Sequence, residues 1–187
     1  MRWGMNKREH PRVIHGVGGL YESGEATDQE TPNTQYTTYQ YPDGAILHFD
    51  VRGWYTGGEE GMKIGNFFFG SEGWGMLHGS EFKTFMGQNN EPGFSINWIQ
   101  MDYEGAAEAA GRPYQPEPWV RNDSVQRHFE DFISCVRSRR WQDLKAEVLE
   151  GYISSALCHL GNISYRLGRT VEFDPHSERF VNDDQAN

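Results

Sequence analysis

His48-Phe49-Asp50 is the first spacing in the chain that could do chemistry. Side chains on a strand repeat every two residues, so the imidazole and the carboxylate share one face. An H-x-D pair of this kind begins a 2-His-1-carboxylate metal triad, with His78 or His128 as the third ligand, and would make a cupin-like metal enzyme. The same face carries Ile46 and Arg52, and an Arg52–Asp50 ion pair on a solvated or contact surface accounts for it more simply.

Nucleotide chemistry has less to stand on. Gly16-Val17-Gly18 starts like a dinucleotide fingerprint, but Tyr21 stands where the third glycine belongs and no helical pattern follows. That motif needs a strand-to-helix turn whose backbone N–H groups cradle a pyrophosphate. There is no G-x-x-x-x-G-K-[ST] loop and no G-x-S-x-G elbow. Cys135 and Cys158 fall inside helical patterns, where two buried core thiols are expected. His159 follows Cys158 directly, and neighbouring helical side chains diverge by about 100° rather than forming a pair.

The elements that would position these groups are legible from periodicity. Arg12–Val17 is a β-rich run ending in Gly18-Gly19, and residues 22–33 read as a long polar loop. Thr34–Tyr41 and Ala45–Arg52 alternate with period 2 around Pro42-Asp43-Gly44, a turn in which proline presets φ. Residues 53–61 read as loop, Lys63–Phe69, Trp74–Leu77 and Glu81–Met86 as strands, and residues 88–93 as loop. Short turns between successive strands indicate an antiparallel sheet. A short helix is expected over 103–111, before the prolines at 113, 116 and 118.

The last third is helical. Asp123 and Gln126 form a capping-box pattern, and Phe129, Phe132, Ile133 and Val136 make one apolar stripe. A second helix over about 146–167 ends at Gly168, with Leu149, Ile153, Ala156, Leu157, Leu160 and Ile163 as its core face. On it, Gly151, Ser154, Ser155, Cys158, Gly161 and Asn162 form a low ridge suited to close packing. Thr170–Phe173 reads as an edge strand, and residues 182–187 should fray.

Bulk properties narrow the partners. The 187 residues carry a net charge of −10, with 36% hydrophobic and 14% aromatic residues. So acidic a surface disfavours nucleic acid, whose binding depends on cation placement. No 18-residue apolar run is present, so no membrane span is expected. The N-terminus has no apolar stretch of the signal-peptide kind, which makes cytoplasmic the default compartment.

Several segments resemble the C-terminal domain of Gfo/Idh/MocA oxidoreductases. They are residues 28–35 (DQETPNTQ), Tyr41-Pro42-Asp43-Gly44, residues 65–73 (GNFFFGSEG) and residues 150–169 (EGYISSALCHLGNISYRLGR), in the family's order. The resemblance implies an α+β fold, an open, mostly antiparallel β-sheet with helices packed on one face, over residues 1–174, followed by a tail over 175–187. It also implies a homodimer or tetramer assembled through the open sheet face. Complete members have an N-terminal Rossmann domain with an E-K-P lysine, an H-x-x-D pair, NAD(P) and a sugar-like or polyol substrate. Arg2-Trp3-Gly4 is similar to the stretch just after that H-x-x-D, so no family catalytic residue carries over to a position here, and NAD(P) is expected only for a full-length parent. The expected role is an isolated substrate-binding and oligomerisation domain, truncated or stand-alone and not competent to catalyse alone. A homodimeric scaffold without small-molecule chemistry is the alternative. For a sugar-like ligand the binding candidates are Asp28, Glu30, Thr31 and Asn33 in the polar loop, with Arg52, since these polar groups lie near strand ends. A loop tucked at an interface would explain them equally well.

Overall fold

The computed structural model describes residues 1–21, 28–53, 62–97 and 124–187. The chain divides into two compact units, residues 1–56 with 146–187, and residues 57–145. The fold is α+β, with antiparallel sheets of five and four strands.

The first unit holds β1 (Val13–Gly19), β2 (Thr34–Gln40), β3 (Ile46–Arg52), β8 (Val171–Asp174) and β9 (Arg179–Phe180), in the order β3-β2-β1-β8-β9. Tyr39 lies between Ile14 and Leu47 in the antiparallel register, so all three side chains reach the same face. Helix α2 (Val148–Leu167) covers that face with Leu157 and Leu160. Burying each such aliphatic side chain contributes about 1.5–3 kcal/mol. Val171, Phe173 and Phe180 extend the core across the last two strands.

Close approach of helix and sheet is built at two glycines. A Cβ on Gly16 would lie 2.7 Å from the Gly161 carbonyl oxygen, and one on Gly161 would lie 2.6 Å from Tyr39 Oη. β8 pairs with β1 only at Val13 and Ile14. Beyond that point the Gly16 N–H donates to Ser164 Oγ of α2 at 2.9 Å, so the helix takes over where the strand stops. The small ridge packs only at its Gly161 end, because Gly151, Ser154, Ser155 and Cys158 are exposed. The Cys158 thiol is therefore not the core group expected from sequence; Cys135 is buried.

The chain termini are tied down. β8 is an interior strand rather than an edge, because β9 pairs beyond it. Residues expected to fray are held instead: the Asn187 amide accepts from Phe180 N–H at 3.0 Å and donates to the Phe180 carbonyl at 3.0 Å. Ala186 packs against the core, and Arg169 Nη2 reaches Asp183 at 2.8 Å.

The second unit contains β4 (Asn66–Phe69), β5 (Gly73–His78), β6 (Glu81–Met86) and β7 (Glu91–Asn97), a four-stranded meander, then α1 (Ser124–Ser138) and a 3₁₀ turn (Trp141–Asp143). β7 occupies part of the stretch read as loop; its Pro92 and Gly93 disguise it, and an outermost strand tolerates a missing N–H. Cross-strand rings stack on one face, with Trp74 and Phe85 centroids 4.3 Å apart. The α1 stripe is helical as expected, yet Phe129, Phe132, Ile133 and Val136 are all exposed. The expected loop over 54–61, the helix over 103–111 and the capping box at Asp123 lie outside the described residues.

Candidate functional site

Asp28, Glu30 and Thr31 are exposed, whereas Asn33 is committed to the backbone. Its Nδ2 donates to the Tyr21 carbonyl at 2.8 Å, and its Oδ1 accepts from the Tyr21 N–H at 3.1 Å. The Asn33 carbonyl also accepts from Gly53 N–H at 2.6 Å. Asn33 therefore closes the base of the polar loop and joins it to the end of β3. An asparagine at a strand entry is the only signal in the sequence for such a latch, and it does not specify the partner. Arg52 Nε donates to Asp50 Oδ2 at 2.9 Å, the pairing that the strand spacing allowed.

The face of the first sheet opposite α2 gathers more of the candidates. Register places His15, Thr38 and His48 in one row across β1, β2 and β3, with Val17, Tyr36 and Asp50 in the next. His48 Nδ1 and Thr38 Oγ1 are 3.1 Å apart, and His15 Nδ1 lies 3.1 Å from Thr170 Oγ1. Tyr36 stacks on the His48 ring at 5.4 Å. The apolar members are open: Ile46 is 53%, Val17 48% and Tyr36 44% exposed. On this face His48 and Asp50 serve protein partners. Among the described residues no three His, Cys, Asp or Glu side chains meet in a metal-holding group. His78 and His128 lie in the other unit.

The Gly16-Val17-Gly18 segment does not fit a dinucleotide. It lies within β1, antiparallel to β2, and Gly16 serves the close approach of α2. No strand-to-helix turn presents free N–H groups there, so no pyrophosphate cradle forms at these residues.

A third cluster escaped the sequence reading. Arg2 is 4% exposed and its guanidinium donates to the Lys7 carbonyl at 2.6 Å, the Glu150 carbonyl at 3.1 Å and Ser154 Oγ at 3.2 Å. It also pairs with the Glu150 carboxylate, which accepts from Trp3 Nε1 at 2.7 Å. These donors hold the Glu150 carboxyl below the usual carboxylate range, the Trp3 hydrogen bond most strongly. The start of the chain is thus clamped to the first turns of α2.

Residues 120–187 match the family model for the Gfo/Idh/MocA oxidoreductase family, C-terminal alpha/beta domain. That part of the chain is similar to the Gfo/Idh/MocA C-terminal domain. The match covers α1, α2, β8, β9 and the docked tail, including the helix whose sequence carried the resemblance. Solved structures extend the likeness of fold. The aldose-aldose oxidoreductase of Caulobacter crescentus, complexed with glycerol, is 15% identical with a TM-score of 0.59, over 92% of this chain and 43% of that one. An oxidoreductase of Agrobacterium radiobacter, in complex with NAD+, L-tartaric acid and magnesium, is 14% identical with a TM-score of 0.55, over 87% of this chain and 43% of that one. The chain therefore spans less than half the length of either structure. No curated protein matches it.

Proposed function

We propose that this chain is the substrate-binding and assembly part of a sugar- or polyol-directed NAD(P)-dependent oxidoreductase, and that it does not turn over alone. The observation that carries the reading is the one-sided first sheet. α2 seals one face with a continuous core, while the other stays open and bears exposed Val17, Tyr36 and Ile46. Several of its polar groups are matched to one another, His48 with Thr38, His15 with Thr170 and Arg52 with Asp50. Such partial pairing lowers the cost of removing water from the face, which suits contact with a second copy of the chain. The likeness in fold to an aldose oxidoreductase crystallised with glycerol supports a polyhydroxylated ligand, and the exposed Asp28, Glu30 and Thr31 are the groups proposed to meet it. NAD(P) would be held by a nucleotide-binding domain outside this chain's residues.

The commitment of Asn33 and Arg52 to protein partners favours a second reading, a homodimeric scaffold without a small-molecule site. Calorimetric titration with aldoses, glycerol and tartrate separates the two. Saturable binding weakened by Asp28→Ala and Glu30→Ala supports the substrate role, and flat titrations from a dimeric sample support the scaffold. Tight NAD+ binding or steady coenzyme reduction by the chain alone would sink the proposal that catalysis needs a further domain.

A further inference from the structure

We propose that residues 1–11 form a strap that opens and closes as one unit, hinged at Pro11, with Glu178 as its catch. The strap's backbone hydrogen bonds run within itself, from Met5 to Met1, Asn6 to Trp3 and Lys7 to Arg2. Asn6 closes this turn at φ 51°, which asparagine tolerates. Among the described residues, the first backbone bond from this end of the chain to the rest is Arg12 N–H to the Gln40 carbonyl, at 2.8 Å. Before that point the strap is tied down by its side chains.

Those side chains reach three separate elements. Arg2 and Trp3 meet Glu150 in the first turn of α2, and Lys7 meets Asp43 in the turn between β2 and β3. His10 Nε2 lies 3.3 Å from one oxygen of Glu178, in the turn between β8 and β9. The other Glu178 oxygen accepts from the Tyr152 hydroxyl of α2 at 2.8 Å. Glu178 holds φ 54°, a left-handed conformation that disfavours non-glycine residues, and it bridges His10 and Tyr152 from there.

Closure has opposing terms. It buries Arg2, Lys7, His10 and Tyr41, with the Lys7 ammonium 5.2 Å from the Tyr41 ring centre and the His10 ring edge-on to Tyr152 and Phe173. It also leaves His10 Nδ1 and Tyr41 Oη buried with no hydrogen-bond partner among the described residues. Opening returns both atoms to water, which favours release. The carboxylates of Glu150 and Asp43 remain partly in water, so salt weakens their hold on Arg2 and Lys7. Because the strap is one short, internally bonded turn, loosening one attachment frees the others. Such an opening lies below global unfolding.

Amide hydrogen exchange followed by NMR on the full chain tests this. Met5, Asn6 and Lys7 make no contact with Glu178, yet in Glu178→Ala their amides should exchange at least about tenfold faster while those of Val13–Gly19 keep their rates. Arg2→Met should reciprocally speed the Glu178 amide. Acceleration confined to residues 174–181 in Glu178→Ala would make the attachments independent and overturn the strap. Equal acceleration in Val13–Gly19 would make its opening global unfolding, which also overturns it. The unmutated chain supplies a check that no variant can spoil: from about 50 to 500 mM salt, the Met5–Lys7 and Glu178 amides should speed up together, ahead of β1. Unlinked responses, or none, would end the proposal.

Discussion

Tyr39 on β2 donates its hydroxyl to the carbonyl of Leu157 in α2 at 2.7 Å, in space left by the missing side chain of Gly161. Burial pushes the Tyr39 phenol far above the ordinary tyrosine range, so it remains a donor at any ordinary pH. Tyr39→Phe removes one buried hydrogen bond and should cost about 1 kcal/mol. Gly161→Ala forces a methyl against Tyr39 and Thr37, and should cost about 1–3 kcal/mol by overpacking. Gly151→Ala in the same helix meets open space and should stabilise by about 0.5–1 kcal/mol. Urea unfolding of the three variants checks this; equal effects at Gly151 and Gly161 would contradict the packing described.

The clamp at the chain's start predicts a pH signature. Trp3 and Arg2 hold the folded Glu150 carboxyl below its ordinary value of 4.5. Its contribution is therefore present above about pH 4.5 and is lost as pH falls through the folded value. Glu150→Gln should lower the melting temperature at pH 7, and the gap from the parent chain should close towards pH 3. A gap that stays constant would show that charge is not what Glu150 contributes. Arg2→Met should cost about 1–3 kcal/mol, since it strips the donor from the buried Lys7 carbonyl.

Docking of the C-terminus makes a third expectation. Deleting residues 182–187 removes the Asn187 bridge across Phe180 and the packing of Ala186 on the core. A loss of about 1–2 kcal/mol follows from those hydrogen bonds alone. Asn187→Ala should reproduce most of it, read by thermal melting followed by circular dichroism. An unchanged melting point would mean that the tail is not held.

What the sequence revealed and what it hid divide by range. The hairpin around Pro42-Asp43-Gly44 was readable because turn chemistry and alternation are local, and the structure pairs Thr34–Gln40 with Ile46–Arg52 as expected. The end of α2 was readable for the same reason: Gly168 adopts φ 66°, which glycine accepts without strain. β7 was hidden because a proline and a glycine inside an outer strand look like loop. The Arg2–Glu150 clamp joins residues 148 apart in sequence, and no local pattern announces such a pairing. The same holds for the docked tail, where a polar, acidic stretch resembles a frayed end until Arg169 and Phe180 are brought beside it. At the candidate site, strand spacing correctly put His48, Asp50 and Arg52 on one face. Only the cross-strand register could add His15, Thr38 and Tyr36 to them.

The two cysteines offer a probe of each unit separately. Cys158 is exposed on α2 in the first unit, while Cys135 is buried on α1 in the second. Burial pushes the Cys135 thiol up, and the nearby Asp131 and Asp143 carboxylates push it the same way. Thiolate is the reacting form, so both burial and pKa slow Cys135. In the folded chain a thiol-disulfide reagent should label one cysteine quickly, and Cys158→Ser should abolish that fast phase. Cys135 should then react only as the second unit opens, accelerating with urea. If Cys135 labels quickly in the Cys158→Ser variant without denaturant, its burial on α1 is wrong. If its rate rises at lower urea than the loss of the first sheet's circular dichroism signal, the two units unfold separately.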